Sequence, residues 1–352
     1  MLRKPVPLSS LEEVRRLTVD GSSRLHSATH DEILAGLTTD IYFVRTVEIL
    51  RSLGLAETPV VAEIFASRDG ICVGVEEVRY LLRDAGVTID SLREGEPFAA
   101  REVIMRVEGP YARFGAYETA ILGMLAHASG WATAAHHVAQ VAGEVPVYVF
   151  GARHVHPAVA PVMERAALVG GMKGAACILG AKLLGQEPVG TMPHAFILIV
   201  GDTVRAAMAY HELVPPGVPR LVLVDTFTDE AVEALRVAEA MGRDLSAIRL
   251  DTPKERGSVT PDLVREVRAR LDLAGHRHVR IFVSGGITPE RIPALVEAGA
   301  DAFGVGSYIS AAPPIDMTMD LREVGGKPLA KRGRTPGRTP SARLHPLPPS
   351  GA

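Results

Sequence analysis

From Pro146 onward, short β-rich apolar runs alternate with stretches whose apolar residues recur at helical spacing, the pattern of βα units around a parallel sheet. "VPVYVFG" predicts a strand, "HPAVAPVMERAALVGG" a helix ending at a glycine pair, and "PRLVLVD" the next clear strand. The rhythm then tightens. "TDEAVEALRVAEAMG" and "PDLVREVRARLDLAG" predict amphipathic helices on either side of the strand "AIRLD", and "HVRIFVSGG", "TPERIPALVEAG" and "ADAFGVGS" continue as strand, helix and strand. Thr, Ser or Asp near each helix start and Gly at its end supply the caps. This regularity predicts an α/β fold whose main body is a parallel α/β barrel over residues 116–311.

Before Ala116 the pattern differs. The hairpin-like "TPVVAEIFASRDGICVG", the helix "VEEVRYLLRDAG" and the strand "AAREVIMRVEG" predict a small α+β domain over residues 1–115, joined by residues 312–334. A largely helical stretch, "GAYETAILGMLAHASGWATAAHHVAQVAG", leads into the barrel, and its His127, His136 and His137 fit polar spots on a packed helix. Residues 335–352 form a basic, proline-rich tail that fits a loosely ordered surface segment.

At 352 residues the chain can bury a substantial core, and a formal charge of −3 offers no global basic field for nucleic acid. The two cysteines, Cys72 and Cys177, stand far apart in apolar surroundings, which suits a reduced compartment and builds no zinc knuckle. The first residues turn charged where a signal peptide needs its apolar segment, and no uncharged apolar stretch reaches the roughly 20 residues of a membrane span. The expectation is a soluble, cytoplasmic protein acting on small molecules, with neither nucleic acid nor membrane as partner.

In βα barrels the reactive groups gather at the carboxyl ends of the strands. Those ends carry Phe150 and Arg153 in "VFGARHVHP", Gly190 to His194, Asp225 in "LVDTFTD", Arg249 and Asp251 in "IRLDTP", Ser284, Gly285 and Gly286 in "VSGGIT", and Gly304 and Gly306 in "FGVGSY". The two glycine loops suit an anion cradle for a phosphate monoester, or simply tight turns. Arg249 and Asp251 share one face of an extended strand, either facing a ligand or closing the barrel as an ion pair. Asp225 carries the same ambiguity, with a sugar or Mg²⁺ as its ligand. His154 and His156 are spaced like a metal pair of a barrel hydrolase, but they lie past the strand and run into Pro157.

Seven segments in order, "TTDIYFVRT", "VFGARHVHP", "GTMPHAF", "LVDTF", "RLDTP", "VSGGI" and "GVGSY", resemble the motifs of the nicotinate phosphoribosyltransferase family. The resemblance implies a type II phosphoribosyltransferase fold: an irregular α/β barrel with a smaller sandwich domain packed against a neighbouring subunit. It implies joining of nicotinate to phosphoribosyl pyrophosphate in NAD biosynthesis, with Mg²⁺, with ATP hydrolysis assisting, and in a homodimer with a shared site. Phe150 and a partner-supplied Tyr42 would then sandwich the pyridine ring, although Tyr42 also fits a core aromatic. Arg153 and Arg249 would meet anionic groups, Asp251 the ribose hydroxyls, Asp225 the sugar or metal side, and the glycine loops the 5′-phosphate.

One segment departs from that family. Where members often carry a polar "GT" or "GTS", this chain has "MKGAACILG", leaving a ring carboxylate to the backbone amides of Gly174 to Cys177 and to Lys173. A quinolinate-type transferase is the nearest alternative within the class, and it would need several more basic groups. A metal-dependent hydrolase using His154 and His156 is the alternative from outside it.

His194, in "GTMPHAF", raises a separate question. A lone histidine before an apolar run fits a core position. At a helix start, however, unpaired amides would disfavour imidazolium and keep a nitrogen nucleophilic. The resemblance implies that ATP phosphorylates this residue, so phosphohistidine chemistry at His194 is expected.

Overall fold

The computed structural model describes residues 10–19 and 24–348. Five strands come first: β1 (Pro59–Ala66), β2 (Gly70–Ile71), β3 (Thr88–Ser91), β4 (Pro97–Phe98) and β5 (Val103–Pro110). Six short ones follow: β6 (Val147–Val149), β7 (Gly174–Ala175), β8 (Leu221–Leu223), β9 (Ala247–Leu250), β10 (Arg280–Val283) and β11 (Ala302–Val305). The last three are β12 (Met317–Val324), β13 (Lys327–Pro328) and β14 (His345–Pro346). The chain divides into two compact units, Met1–Ala132 with Pro313–Ala352, and Thr133–Ala312.

In the first unit an antiparallel sheet runs in the order β13-β12-β1-β5-β3-β14, and a separate pair joins β2 to β4. The hairpin suggested by "TPVVAEIFASRDGICVG" does not form: β1 pairs with β12 and β5, and β2 with β4. Along β1 the side chains alternate between faces. Ala62, Ile64 and Ala66 enter an apolar cluster with Leu92, Phe98, Phe114, Ile121 and Leu125. On the other face Glu63, 1% exposed, stands opposite Arg106 of β5 and Asp320 of β12.

A buried carboxylate must be paired and hydrogen-bonded, and the chain's last residues complete that requirement. Arg106 and Arg322 reach Glu63 at 2.8 and 3.2 Å, while Thr339 donates both its N–H and its hydroxyl to it at 2.9 and 2.7 Å. Arg338 bonds Glu108 and Glu323, and β14 pairs with β3. The segment expected to be loosely ordered is therefore docked through residue 348, because Arg338 pairs with carboxylates on this face of the sheet and Thr339 donates hydrogen bonds to another.

The second unit is a curled parallel sheet in the order β7-β6-β11-β10-β9-β8, the type II phosphoribosyltransferase architecture anticipated from the motifs. Helices Ala160–Val169, Glu230–Met241 and Pro261–Leu273 lie on the predicted amphipathic segments. Asp229 and Thr260 cap the latter two by accepting from backbone amides, and Pro261 occupies a first-turn position that requires no donor. β7 was not anticipated: its two residues, Gly and Ala, carry too little apolar pattern to register. No described helix is long and apolar enough to cross a membrane.

Candidate active site

The carboxyl ends of β6, β8, β9 and β10 bring together most of the expected rim. The two-residue period of β9 turns Arg249 and Asp251 to one side, and both take partners there. Arg249 donates from Nε to Ser284 Oγ at 2.8 Å, from Nη1 to Thr191 Oγ1 at 2.8 Å and from Nη2 to Asp251 Oδ2 at 3.1 Å. Ser284 in turn donates to Asp251 Oδ1 at 2.8 Å. The guanidinium is thus held as a fixed fork, 5.4 Å above the ring of Phe150. That ring stacks on Phe282, with centroids 5.9 Å apart and planes at 15°, making a flat apolar wall beside the cation.

Gly304 explains how the wall fits. A Cβ there would lie 2.7 Å from Phe150 and 3.0 Å from Phe282, so only glycine leaves room for the two rings. A Cβ on Gly306 would meet the Phe150 carbonyl oxygen and His154, both at 2.9 Å. Both glycines therefore have a packing reason apart from any anion.

The "SGG" turn is built differently. Gly285 and Gly286 adopt φ of +86° and +62°, and Arg291 donates to both their carbonyls, at 3.1 and 2.7 Å, and to Val259 O at 2.6 Å. Fixing these carbonyls from behind turns the following amides the other way, and the Lys254 stem lies alongside, its Cε 3.9 Å from where a Gly286 Cβ would stand. The next helix starts only at Ile292, so the turn presents backbone amides and nearby cations without a helix dipole behind them.

Asp225, Asp251 and His194 form the electrostatic centre. Asp225 is 2% exposed and neither of its carboxylate oxygens has a hydrogen-bond partner among the described residues. Burial, with Asp251 adding, pushes its pKa up to about 6 against the opposing pull of His194. Burial also works against the charge of Asp251, but His194, Arg249 and Ser284 outweigh it and hold that pKa below the usual carboxylate range. His194 is the first residue of the helix His194–Val200; its Nδ1 meets Thr226 Oγ1 at 3.1 Å and its Nε2 lies 3.7 Å from both Asp225 and Asp251. Asp251 first, and then Asp225, raise its pKa.

Family models described as the N-terminal and C-terminal domains of quinolinate phosphoribosyl transferase match residues 40–129 and 131–320. The chain belongs to the quinolinate phosphoribosyl transferase family. It is similar to a solved nicotinate-nucleotide pyrophosphorylase from Pyrococcus furiosus, with 46% identity, 93% of this chain and 86% of that chain covered, and a TM-score of 0.86. Among curated relatives it is 30% identical to the nicotinate phosphoribosyltransferase pncB1 of Mycobacterium tuberculosis, over 85% of this chain and 75% of that protein. It is 24% identical to a probable carboxylating nicotinate-nucleotide pyrophosphorylase of Methanothermobacter thermautotrophicus, over 75% of this chain and 89% of that one.

Membership of the quinolinate phosphoribosyl transferase family keeps the type II phosphoribosyltransferase resemblance and corrects its finer assignment. The expectation of an ATP-coupled nicotinate phosphoribosyltransferase is overturned by the match across both domains and by the Pyrococcus furiosus structure. The physics at His194 agrees with that correction. Two carboxylates on Nε2 outweigh the helix start and favour imidazolium, which has no lone pair with which to accept a phosphoryl group.

Other expected residues fall in different places. Lys173 directly precedes β7 and its N–H donates to Val147 O, so it stands at the amino ends of the strands, away from the rim. The amide of Ala176 donates to Val149 O and that of Cys177 to Glu164, so these two are not free for a ring carboxylate. Arg153 is exposed on the turn after β6, close enough for its charge to act on Arg249. Tyr42 belongs to the first unit, on the first turn of the helix Ile41–Ser52, and is 55% exposed. His154 faces Ser310 Oγ at 3.3 Å, and His156 accepts from the Ala158 amide at 3.1 Å, so the two rings serve separate local partners. Among the described residues no group of three or more His, Cys, Asp or Glu could hold a metal ion.

Sequence reasoning missed Phe282, Thr226, Arg291, Lys254 and Glu164. Phe282 and Arg291 had a usable signal, since "RIFVSGGITPER" places one just before the glycine turn and the other just after it.

Proposed function

We propose that the protein transfers the phosphoribosyl group of phosphoribosyl pyrophosphate, carried as its Mg²⁺ complex, to quinolinate, giving nicotinate mononucleotide, pyrophosphate and carbon dioxide. The observation that carries the transfer is Asp225: a buried carboxylate with two unpartnered oxygens beside Asp251, which suits ribose hydroxyls and the positive charge that develops at the anomeric carbon. The pyridine nitrogen donates its lone pair to that carbon while the carbon–oxygen bond to pyrophosphate breaks, its electron pair leaving on pyrophosphate. The carbon–carboxyl bond at ring position 2 then breaks. Its pair stays on the ring carbon beside the newly cationic nitrogen, and that carbon takes up a proton.

This chain's residues supply position and charge. Phe150 and Phe282 offer the ring a flat wall, and Arg249, Arg153 and the imidazolium of His194 offer its two carboxylates cations. His194 thus replaces Lys173 in the set of basic groups a dianionic ring needs. The Ser284–Gly286 turn, with Arg291 behind it and Lys254 alongside, suits the 5′-phosphate. A homodimer in which a second copy supplies Tyr42 is part of the same proposal, supported by the exposure of that ring.

The test is to incubate the protein with phosphoribosyl pyrophosphate, Mg²⁺ and either quinolinate labelled in its 2-carboxylate or nicotinate, following pyrophosphate and labelled carbon dioxide. Equal release of both products from quinolinate is expected. Pyrophosphate without carbon dioxide, or nicotinate turned over as well as quinolinate, would refute the assignment.

A further inference from the structure

Glu164 lies in the apolar helix Ala160–Val169 and is 0% exposed, yet no expected step uses it. Its Oε1 accepts from the amides of Gly151 and Ala152, each at 3.0 Å, and its Oε2 accepts from the amide of Cys177. The first two amides sit between Phe150 and Arg153 on the turn after β6. The third belongs to Cys177, the residue just before the helix Ile178–Lys182 and shortly after β7. One carboxylate therefore gathers the ends of two neighbouring strands from either side of its own helix.

The surrounding packing is arranged for the same closeness. A Cβ on Gly151 would lie 2.7 Å from the end of Met163, and one on Gly180 would lie 3.2 Å from Glu164 Cβ and 3.3 Å from Pro161 O. Both segments thus press on one turn of the Glu164 helix through glycines. Burial outweighs the backbone amides that favour the charge and raises the pKa of this carboxyl. An ionised group in such a site is costly unless every contact is kept, and that cost resists any drift of the two segments.

We propose that Glu164 is a positioning residue that staples the Phe150–Arg153 turn to the chain entering the helix Ile178–Lys182, and so sets the geometry of the pyridine-acid site without touching the substrate. This rests on the phosphoribosyl transfer reading for its kinetic consequence and on the structure alone for the staple. Ring recognition depends on where Phe150 and Arg153 stand, whereas the phosphate turn at Ser284–Gly286 is held by Arg291 and does not pass through Glu164.

Glu164→Gln keeps the volume but sets an amide donor against at least one backbone donor in either orientation. KM for the pyridine acid should rise by about tenfold or more, with KM for phosphoribosyl pyrophosphate within about twofold of the wild type. Both constants unchanged, or both raised alike, would overturn the kinetic claim. If that variant does not fold, Cys177→Pro removes a single donor at a residue whose φ of −66° already suits proline, and the same selective rise is expected. Hydrogen exchange in the absence of substrate reads the staple directly: segments 149–156 and 176–182 should both exchange faster in the variant, with 281–287 unchanged. A wild type that turns over no quinolinate would refute the function and leave this measurement standing; unaltered exchange in the two segments would refute the staple.

Discussion

Asp225→Asn isolates the cost of keeping a carboxylate without a hydrogen bond at the centre of the rim. In the folded protein burial holds this group at a pKa of about 6 against an ordinary 3.8, so between those values the folded state binds a proton that the unfolded state has released. Stability must then fall as pH rises through this window, the reverse of a salt-bridged carboxylate. At about 1.4 kcal/mol per tenfold, the accumulated cost is about 2 kcal/mol between pH 4 and 6 and about 3 kcal/mol by neutrality. Below pH 6 His194, whose pKa is raised from 6.5, remains cationic, so the window belongs to Asp225 alone among the pair. The asparagine amide is itself poorly satisfied there, but that penalty does not change with pH. The quantity to measure is therefore the difference in unfolding free energy between variant and wild type by urea denaturation at pH 4, 5 and 6. It should shift by about 2 kcal/mol in favour of the variant as pH rises. A difference flat to within about 0.5 kcal/mol would mean that Asp225 is ordinarily solvated and that the argument from its unpartnered oxygens fails.

Gly304→Ala should displace Phe150, whose ring would lie 2.7 Å from the new methyl, raising KM for the ring substrate and destabilising the fold by about 1–3 kcal/mol; unchanged KM would remove Phe150 from the ring site. His194→Gln should weaken quinolinate binding most below pH 6.5, where the wild-type ring is cationic, and progressively less as pH rises through the raised pKa; weakening that does not change with pH would exclude a charge role. Thr339→Ala should cost about 1–2 kcal/mol in thermal or urea unfolding by removing a hydroxyl from buried Glu63, with kcat unaffected; an unchanged midpoint would mean that water replaces the hydroxyl.

The parallel sheet was legible because β6 and β8–β11 each place a β-rich run before a polar or glycine-rich end. The alternation in "RLD" was enough to align Arg249 with Asp251. The sequence could not show what only a folded rim brings together. His194 stands at a helix start, which argues for a neutral ring, but Asp225 and Asp251 arrive from two other strands and reverse the balance. Lys173 read as a cation near the ring because β7 was too short to reveal which strand end it occupied. Glu164 sat unnoticed in "PVMERAALV", since a charged pair such as Glu164–Arg165 in an apolar helix usually faces water. The choice between one ring carboxylate and two depends on this count of cations, which is why the finer assignment went astray while the architecture did not.

Glu63 and Thr339, bonded to one another, are separated by 276 positions along the chain, and the entire second unit is encoded between them. A ribosome making this protein therefore completes every residue of the second unit before the first can finish its sheet. Until then β1 lacks β12, and a carboxylate destined for burial lacks two of its three donor residues, Arg322 and Thr339. A chain ending at residue 312 and released from the ribosome should resist protease across 133–312 while remaining open to it around β1, so that the part made first is the last to be secured.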